Sequence, residues 1–200
     1  MLFRSRAIPA LERALHLCQM ADIPNNFPPT ASPLGTAYAL SGRMTEALPL
    51  LEQAVEQSAS IRRNVQQALW MIGLSEGYVL AGRLEEARDL AEHALALARA
   101  HHERGSQAWS LRLLGEIATQ CESPESPHAE AFYHQALALA AELGMRPLMA
   151  HCHRGLGLLS LQRGRGKQAR PELSAAIELY RDMDMTFWLP QAEAALAQIE

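Results

Sequence analysis

The sequence predicts an all-α fold, an α-solenoid of helix–turn–helix repeats with a period of about 40 residues. An alanine recurs at intervals of 40, 40, 42 and 40 residues, and a second alanine stands seven residues before each one. The five pairs are Ala7–Ala14, Ala47–Ala54, Ala87–Ala94, Ala129–Ala136 and Ala169–Ala176. Seven residues make two helical turns, so each pair marks one helix face that another helix must approach closely. A fixed period of this size is typical of solenoids, in which each repeat packs only on its neighbours.

Glycine–arginine pairs in three of the repeats predict a turn between two helices. These pairs are Gly42-Arg43, Gly82-Arg83 and Gly164-Arg165. Glycine readily adopts the left-handed conformation that ends a helix, whereas a residue with a Cβ resists it. We therefore expect apolar helices before the glycines, over residues 34–40, 69–81 and 151–161. Amphipathic helices are expected after them, over residues 45–58, 84–100 and 167–181.

Prolines predict two non-helical segments. The third repeat contains the sequence ESPESPH, Glu122–His128, which accounts for the two extra residues in its 42-residue interval. Because Pro124 and Pro127 cannot continue a helix, this segment is expected to be a loop extension within an otherwise complete repeat. The segment Ile23–Pro33 contains four prolines and is expected to be an extended connection.

The two ends of the chain differ from the repeats between them. Residues 8–20 resemble the second helix of a repeat whose first helix is absent, which leaves Leu11, Leu15 and Met20 on an uncovered, self-associating face. Because natural solenoids usually end on polar surfaces, we expect a fragment of a longer protein. The first five residues, MLFRS, look like a translated sequencing adapter. The predicted division of this single solenoid, residues 1–200, is an artefact at 1–5, a half repeat at 8–20, repeats at 30–59, 62–103, 106–143 and 147–183, and a terminal helix at 187–200.

Composition restricts the classes of partner and the compartment. The formal net charge of −4 argues against a nucleic acid as the main partner. Cys18, Cys121 and Cys152 have no C-x-x-C spacing, so neither a disulfide framework nor a zinc site is indicated. No apolar stretch reaches the roughly 20 residues of a membrane span, and none suits a signal peptide. We therefore expect a cytoplasmic protein that binds neither nucleic acid nor membrane.

The repeat resembles the tetratricopeptide repeat. That family's pattern is a leucine–glycine pair and a tyrosine in the first helix, then a small, a bulky and a small residue in the second helix. The first repeat matches with Leu34-Gly35, Tyr38, Ala47, Leu51 and Ala54. The second repeat departs at two positions, where Ser75 replaces the glycine and Ala91 the bulky residue. The resemblance implies a right-handed solenoid that binds other proteins, although its usual period of 34 residues is shorter.

The run of residues 144–196 is similar to the C-terminal end of a group of large bacterial signalling proteins. In that group a nucleotide-cyclase or DNA-binding domain precedes a STAND-type ATPase, and tetratricopeptide repeats follow. The resemblance implies a protein-interaction module, the sensing or scaffolding C-terminal arm of a bacterial signalling or transcription-regulatory protein. Two alternatives stay open: a regulatory segment of a multidomain enzyme, either a nucleotide cyclase or an ATPase, and a self-association module.

No motif in the chain indicates catalysis, a metal or a cofactor. The sequence lacks a phosphate-binding G-x-x-x-x-G-K-[ST] loop. The string His151-Cys152-His153 offers metal-ligand side chains, but adjacent helical residues point about 100° apart and cannot converge on one ion. We therefore expect Cys152 to pack inward with the histidines on its flanks, and we expect no enzymatic activity.

The candidate binding site is a concave groove. In the resembled family the first helices line this groove, and fixed positions on them face a peptide ligand. At the period of this chain those positions hold Glu76 in the second repeat, Trp109, Arg112 and Glu116 in the third, and His151, Arg154 and Leu158 in the fourth. Tryptophan and arginine are enriched in binding hot spots, which favours a peptide site. Packing of Trp109 between repeats is an equally weighted alternative.

Overall fold

The structure, a computed structural model, describes residues 7–60, 66–123 and 125–199, and its regular elements are all helical. The α-helices of these ranges are α1 (Ile8–Met20), α2 (Phe27–Leu40), α3 (Met44–Ser60), α4 (Gln67–Leu80), α5 (Leu84–Ala100), α6 (Arg104–Cys121), α7 (Pro127–Glu142), α8 (Arg146–Gln162), α9 (Gly166–Asp182) and α10 (Leu189–Leu196). The predicted all-α helical-repeat fold is confirmed. Residues 1–5, the expected artefact, lie outside the described ranges. Within those ranges no helix has the length and apolar character needed to cross a membrane.

The chain forms two compact units, which meet in the sequence between His101 and His102. In the first unit α2 pairs with α3 and α4 with α5, and the first helices α2 and α4 contact each other. In the second unit α6 pairs with α7 and α8 with α9, α6 contacts α8, and α10 packs on α9. Each unit therefore contains a layer of first helices. The exact limits of the repeats stay a prediction, and the limit at residue 62 lies outside the described residues.

The glycine turns form as predicted. Gly42, Gly82 and Gly164 have φ angles of 80°, 75° and 68°, in the left-handed region. At the first of these turns the amide of Arg43 donates to the carbonyl of Tyr38 at 2.9 Å, which closes the end of α2. Such a bond satisfies a carbonyl that the end of a helix leaves without a partner.

A second series of turns follows the second helices and also keeps the repeat period. Residues with positive φ stand at the same place in four of these turns: Asp22, His102, Gly144 and Asp184, with φ between 49° and 67°. Aspartate tolerates this left-handed conformation better than most residues with a Cβ. This regularity was missed from the sequence because only one of the four positions holds glycine.

The expected extended connection at Ile23–Pro33 is wrong. A short 3₁₀ helix spans Pro24–Asn26, and α2 begins at Phe27. Pro28 and Pro29 occupy the first turn of α2. Amide hydrogens in a first turn have no acceptor within the helix, so proline costs no hydrogen bond there. Pro33 removes one internal hydrogen bond, but burial of Phe27 and several following side chains stabilises the helix around it.

The alanine positions form the contact between the two helices of each repeat. Ala54, Ala94, Ala136 and Ala176 are all 0% exposed, as predicted. Ala14, at the equivalent position of α1, is exposed, because no described helix pairs with that side of α1. A methyl group is therefore the largest side chain that this contact accommodates without rearrangement.

In three repeats a bulky side chain of the second helix packs against a glycine of the first. A Cβ placed on Gly35 would lie 2.6 Å from Cγ of Leu51, and one on Gly157 would lie 2.6 Å from Cγ of Leu173. The third repeat pairs Gly115 with Tyr133 in the same way.

The second repeat reverses the sizes at these two positions. Ser75 and Ala91 are both fully buried, and the hydroxyl of Ser75 donates to the carbonyl of Ala87 at 2.7 Å. The larger side chain is thus on the first helix and the smaller one on the second. The two departures from the family pattern therefore compensate each other.

Polar clusters at the turns join successive repeats of the first unit. The hydroxyl of Tyr38 donates to Oε1 of Glu12 at 2.7 Å, and Cζ of Arg43 lies 4.0 Å from the centre of the Tyr38 ring. The same arrangement recurs 40 residues later, with Tyr78, Glu52 and Arg83. A carboxylate from one second helix is thereby tied to the tyrosine of the following first helix.

The expected loop Glu122–His128 is partly correct: the described residues between Cys121, where α6 ends, and Pro127, where α7 begins, are not helical. Pro127 and His128 instead form the first turn of α7, where proline is tolerated, and Pro124 lies outside the described residues. The Ser126 hydroxyl accepts a long hydrogen bond, 3.4 Å, from the amide of His128 and caps α7. The guanidinium of Arg163, from the end of α8, donates to the Ser126 carbonyl at 2.9 Å. The loop extension is therefore held against the next repeat.

The expected apolar face of α1 is only partly correct. Leu11 and Leu15 pack against the core formed with α2. The exposed apolar side chains at this end are instead Leu17, Met20 and Ile23, which are 57%, 73% and 42% exposed. Because Leu11 and Leu15 face α2, they pack against the core of the first unit and are not part of the exposed surface.

We predict that Ala94→Leu lowers the free energy of unfolding by about 1–3 kcal/mol, because the larger side chain overpacks the contact between α4 and α5. Urea unfolding measures the change. Ala96→Leu is the matched control, since Ala96 lies on the exposed side of the same helix, and its effect should stay within about 0.5 kcal/mol. Equal effects of the two substitutions would contradict the assigned contact.

We also predict that Ser75→Gly and Ala91→Leu are coupled. Ala91→Leu alone overpacks the contact, and Ser75→Gly alone lowers helix propensity and leaves a gap. Together they recreate the pairing of Gly35 with Leu51. The double variant should therefore be more stable than the sum of the single effects by about 1 kcal/mol. Unfolding free energies of the four proteins measure the coupling, and strict additivity would show that the two positions are independent.

Candidate functional site

Six of the seven predicted site residues lie in the second unit. Trp109, Arg112 and Glu116 are on α6, and 42 residues later His151, Arg154 and Leu158 hold the same register on α8. Because α6 and α8 contact each other, equivalent positions come together on one layer. The seventh, Glu76, is on α4 in the first unit. At the positions equivalent to Trp109 and Arg112, the first unit has Leu69 and Ile72.

A cavity of about 370 Å³ lies on this layer of the second unit. Five predicted residues line it: Arg112, Glu116, His151, Arg154 and Leu158. Tyr133 of α7 and Gln198, which follows α10, line it as well. Trp109 stands beside the cavity and is half-buried, with its ring centroid 5.9 Å from that of His151. The structure thus shows Trp109 in contact with the next repeat and partly accessible.

Arg112 is a buried cation that is paired within its own helix. It is 7% exposed, and its Nη1 donates to a carboxylate oxygen of Glu116, one helical turn later. Its Cζ lies 5.3 Å from the centre of the Trp109 ring. A buried cation requires such a partner because the loss of its hydration is costly. Glu116 therefore neutralises Arg112 at the wall of the cavity.

Arg154 holds the equivalent position on α8 but has different neighbours. Its Nη1 donates to the amide oxygen of Gln191 at 2.9 Å, and its Cζ lies 4.9 Å from the centre of the Trp188 ring. Its Nε is buried, and no group in the described ranges hydrogen-bonds it. The position one turn later, where α6 has Glu116, is occupied by Leu158. Among the described residues no carboxylate lies within salt-bridge distance of Arg154.

His151 lies at the centre of an aromatic cluster. Its ring centroid is 5.6 Å from that of Tyr180 and 5.0 Å from that of Trp188, and both rings meet it edge-on. The hydroxyl of Tyr180 and Nδ1 of His151 share a hydrogen bond of 2.8 Å. Burial, together with the positive charges of Arg112 and Arg154, holds the pKa of His151 well below its ordinary value. The imidazole is therefore neutral at neutral pH.

The three residues of the string His151-Cys152-His153 have different surroundings. Cys152 is fully buried, and burial raises the pKa of its thiol to about 12, so the unreactive protonated form prevails. Nδ1 of His153 lies 2.7 Å from Oε2 of Glu172, away from the cluster around His151. In the ranges that the structure describes, no group of three or more metal-ligand side chains comes together.

Several residues that line the cavity or contact its lining residues were missed from the sequence. Tyr133 is the bulky residue of the third repeat and was not predicted to line a site, although it fills the space that Gly155 leaves on α8. Trp188 and Gln191 belong to the segment after the last repeat, where no periodicity fixes their position. One feature of the sequence could have indicated the contact between Tyr133 and α8, namely Gly155. A glycine, Gly73, also occurs at the equivalent position of the second repeat.

We predict that His151 makes the protein less stable in mild acid. An unfolded histidine titrates near pH 6.5, about its ordinary pKa, whereas folded His151 titrates lower. Below about pH 6.5 the unfolded state therefore binds more protons, and the free energy of unfolding falls as the pH falls. His151→Gln should lose less stability than the parent protein between about pH 7.5 and 5.5, measured by urea unfolding.

The control for this experiment is Ala96→Gln, because Ala96 is exposed on α5 and carries no titratable group. This variant should keep the pH dependence of the parent. If His151→Gln also kept it, protonation of His151 would not oppose folding.

Comparison with known proteins supports the repeat assignment. Residues 28–100 match the model of the tetratricopeptide repeat family. The chain is also similar to the crystal structure of BtubC (BKLC) from P. vanneervenii, with a TM-score of 0.71 and 19% identity over 98% of this chain and 82% of that one. At this identity the likeness concerns the fold alone. No curated protein matches the chain. Residues 28–100 are thus similar to tetratricopeptide repeats, within a helical-repeat fold that extends over the described parts of the chain.

Proposed function

We propose that this chain is a protein-interaction module whose second unit binds a peptide segment of a partner protein. Tetratricopeptide repeats generally mediate protein–protein interaction. The second unit keeps the alanine period, and its pairs Leu114-Gly115 and Leu156-Gly157 correspond to Leu34-Gly35 of the matched segment. We therefore extend the family assignment to the second unit.

The observation that carries this proposal is the joining of Trp109, Arg112 and Arg154 on one layer. Trp109 is partly accessible, and Arg154 on the same layer has no carboxylate within salt-bridge distance among the described residues. A tryptophan together with an arginine is typical of binding hot spots. The planar fork of arginine pairs with carboxylates in two parallel hydrogen bonds. The layer therefore suits a peptide with an apolar side chain and an acidic group.

The larger context is proposed from the resemblance of residues 144–196 to bacterial signalling proteins. We propose that the chain is the sensing or scaffolding arm of a larger cytoplasmic signalling or transcription-regulatory protein of bacteria. In the alternative, the same segment regulates a nucleotide cyclase or an ATPase in a multidomain enzyme. Sequencing the source DNA upstream of residue 1 separates these contexts, since it would reveal which domain precedes the repeats.

Self-association is a second candidate function, and one observation favours it. Leu17, Met20 and Ile23 expose apolar surface at one end of the first unit. Apolar surface of this kind favours contact with another molecule. Light scattering over a range of protein concentrations tests this function, because a strict monomer at high concentration would exclude it.

We predict that Trp109→Ala weakens peptide binding by about 2 kcal/mol or more, the range of a hot spot, while the fold persists. A library of labelled hexapeptides with free carboxyl termini is first screened against the chain. The tightest peptide is then titrated into the parent protein and the variant by calorimetry. Circular dichroism of both proteins checks the fold.

The matched control for this titration is Leu69→Ala, at the equivalent position of the first unit, which should leave the affinity unchanged. If Trp109→Ala bound the peptide as tightly as the parent, the layer would not be the binding site. A large loss of thermal stability without a change in affinity would assign Trp109 to packing between repeats.

A further inference from the structure

The cavity of the second unit is compact. Its volume of about 370 Å³ falls within the range of about 300–1,000 Å³ that is typical of sites for small molecules. Its lining comes from α6, α7 and α8, with Gln198 from the segment after α10. A site built from four segments around one cavity differs from an open groove that follows a peptide chain.

The charges of the described lining residues leave one cation to be neutralised. Arg112 is paired with Glu116, whereas in the described ranges the hydrogen-bond partner of Arg154 is the neutral Gln191 and its guanidinium lies over the ring of Trp188. Tyr133 is neutral because burial raises the pKa of its hydroxyl, and His151 is neutral because its pKa is lowered. A partly buried guanidinium without a counter-ion favours the entry of one anionic group.

One side of the cavity wall is apolar. Leu158 and Leu161 line it from α8, at three-residue spacing on one face of the helix. Because Leu158 follows Arg154 by one helical turn, a ligand can pair with the guanidinium and contact this apolar surface at once. The amide side chains of Gln120 and Gln162 supply neutral hydrogen-bonding groups.

We propose that the cavity binds a compact organic monoanion, with its single carboxylate paired to Arg154 and its apolar part against Leu158 and Leu161. This goes beyond peptide recognition, because a free acid fills the cavity without a partner protein. The same chemistry also occurs at the carboxyl-terminal residue of a peptide. The ligand experiment therefore includes both sources.

The test uses the purified chain and a pair of probes that differ only in charge. N-acetyl-leucine is a monoanion with an apolar side chain, and N-acetyl-leucinamide is its neutral counterpart. Titration followed by NMR should show the acid binding at least tenfold more tightly than the amide. Equal binding of the two probes would overturn the proposal, because it would show that Arg154 does not select an anion.

Substitutions test whether Arg154 is the residue that pairs with the carboxylate of the ligand. Arg154→Gln should weaken N-acetyl-leucine binding at least tenfold, while Arg99→Gln, which removes one positive charge from the exposed side of α5, should not change it. Arg154→Lys keeps the charge and should bind more tightly than Arg154→Gln. If Arg154→Gln bound like the parent protein, or if both glutamine variants lost affinity equally, the assigned pairing would be wrong.

A further substitution tests why the site accepts a ligand with a single negative charge. Glu116→Gln leaves Arg112 without its carboxylate, so the dianion N-acetylglutamate should gain affinity relative to N-acetyl-leucine. In the parent protein the monoanion should be preferred. A preference for the dianion in the parent protein would overturn the inference, because it would show that Arg112 is also available to ligands.

A tetrapeptide that ends in leucine, with a free or an amidated carboxyl terminus, distinguishes the sources of the carboxylate. If only the free-carboxyl peptide binds and N-acetyl-leucine does not, the compact-ligand inference fails while the proposed peptide binding stands. If N-acetyl-leucine binds and neither the tetrapeptide nor the hexapeptide library does, the inference stands and the proposed peptide binding fails.

Discussion

The close approach of the two helices in each repeat is the contact on which the rest of the structure depends. The alanines at this contact have no exposed surface, so the backbones are separated by little more than methyl groups. At this distance each further side chain must match its neighbour in size, as Leu51 matches Gly35. Because this contact fixes the rotation of each helix, it also fixes which residues of the first helices remain available on the layer.

The site of the second unit follows from this fixed rotation. The interval of 42 residues brings Trp109 beside His151 and gives Arg112 and Arg154 the same place on neighbouring helices. The two arginines nevertheless differ in charge pairing, because a different residue follows each of them by one helical turn. Glu116 stands one turn after Arg112, whereas Leu158 stands one turn after Arg154, so one cation is neutralised and the other is not. The equivalent positions 116 and 158 thus differ in charge, although the backbone places them alike.

The sequence predicts the helices well where small residues repeat, because the alanine pairs and the left-handed glycines each have one structural meaning. It predicts α2 badly, because a proline-rich segment can begin a helix when side chains such as Phe27 are buried by it. Five residues that line the cavity from α6 and α8 follow from the family resemblance and the repeat register: Arg112, Glu116, His151, Arg154 and Leu158. The contributions of Trp188 and Gln198 do not, since the segment after the last repeat has no period and its position depends on packing against α9.

The size matching between helices also restricts how such a chain can grow by gene duplication. Leu51 packs against Gly35 in its own repeat and against the next first helix, where a Cβ on Gly77 would lie 2.8 Å from its Cδ1. A tandem copy of α2 and α3 inserted after α3 would put Ala37 at the place of Gly77. Leu51 would then have to move, or a second substitution would have to accompany the duplication. The repeats are therefore similar in sequence without being interchangeable, and their order is inherited together with their contacts.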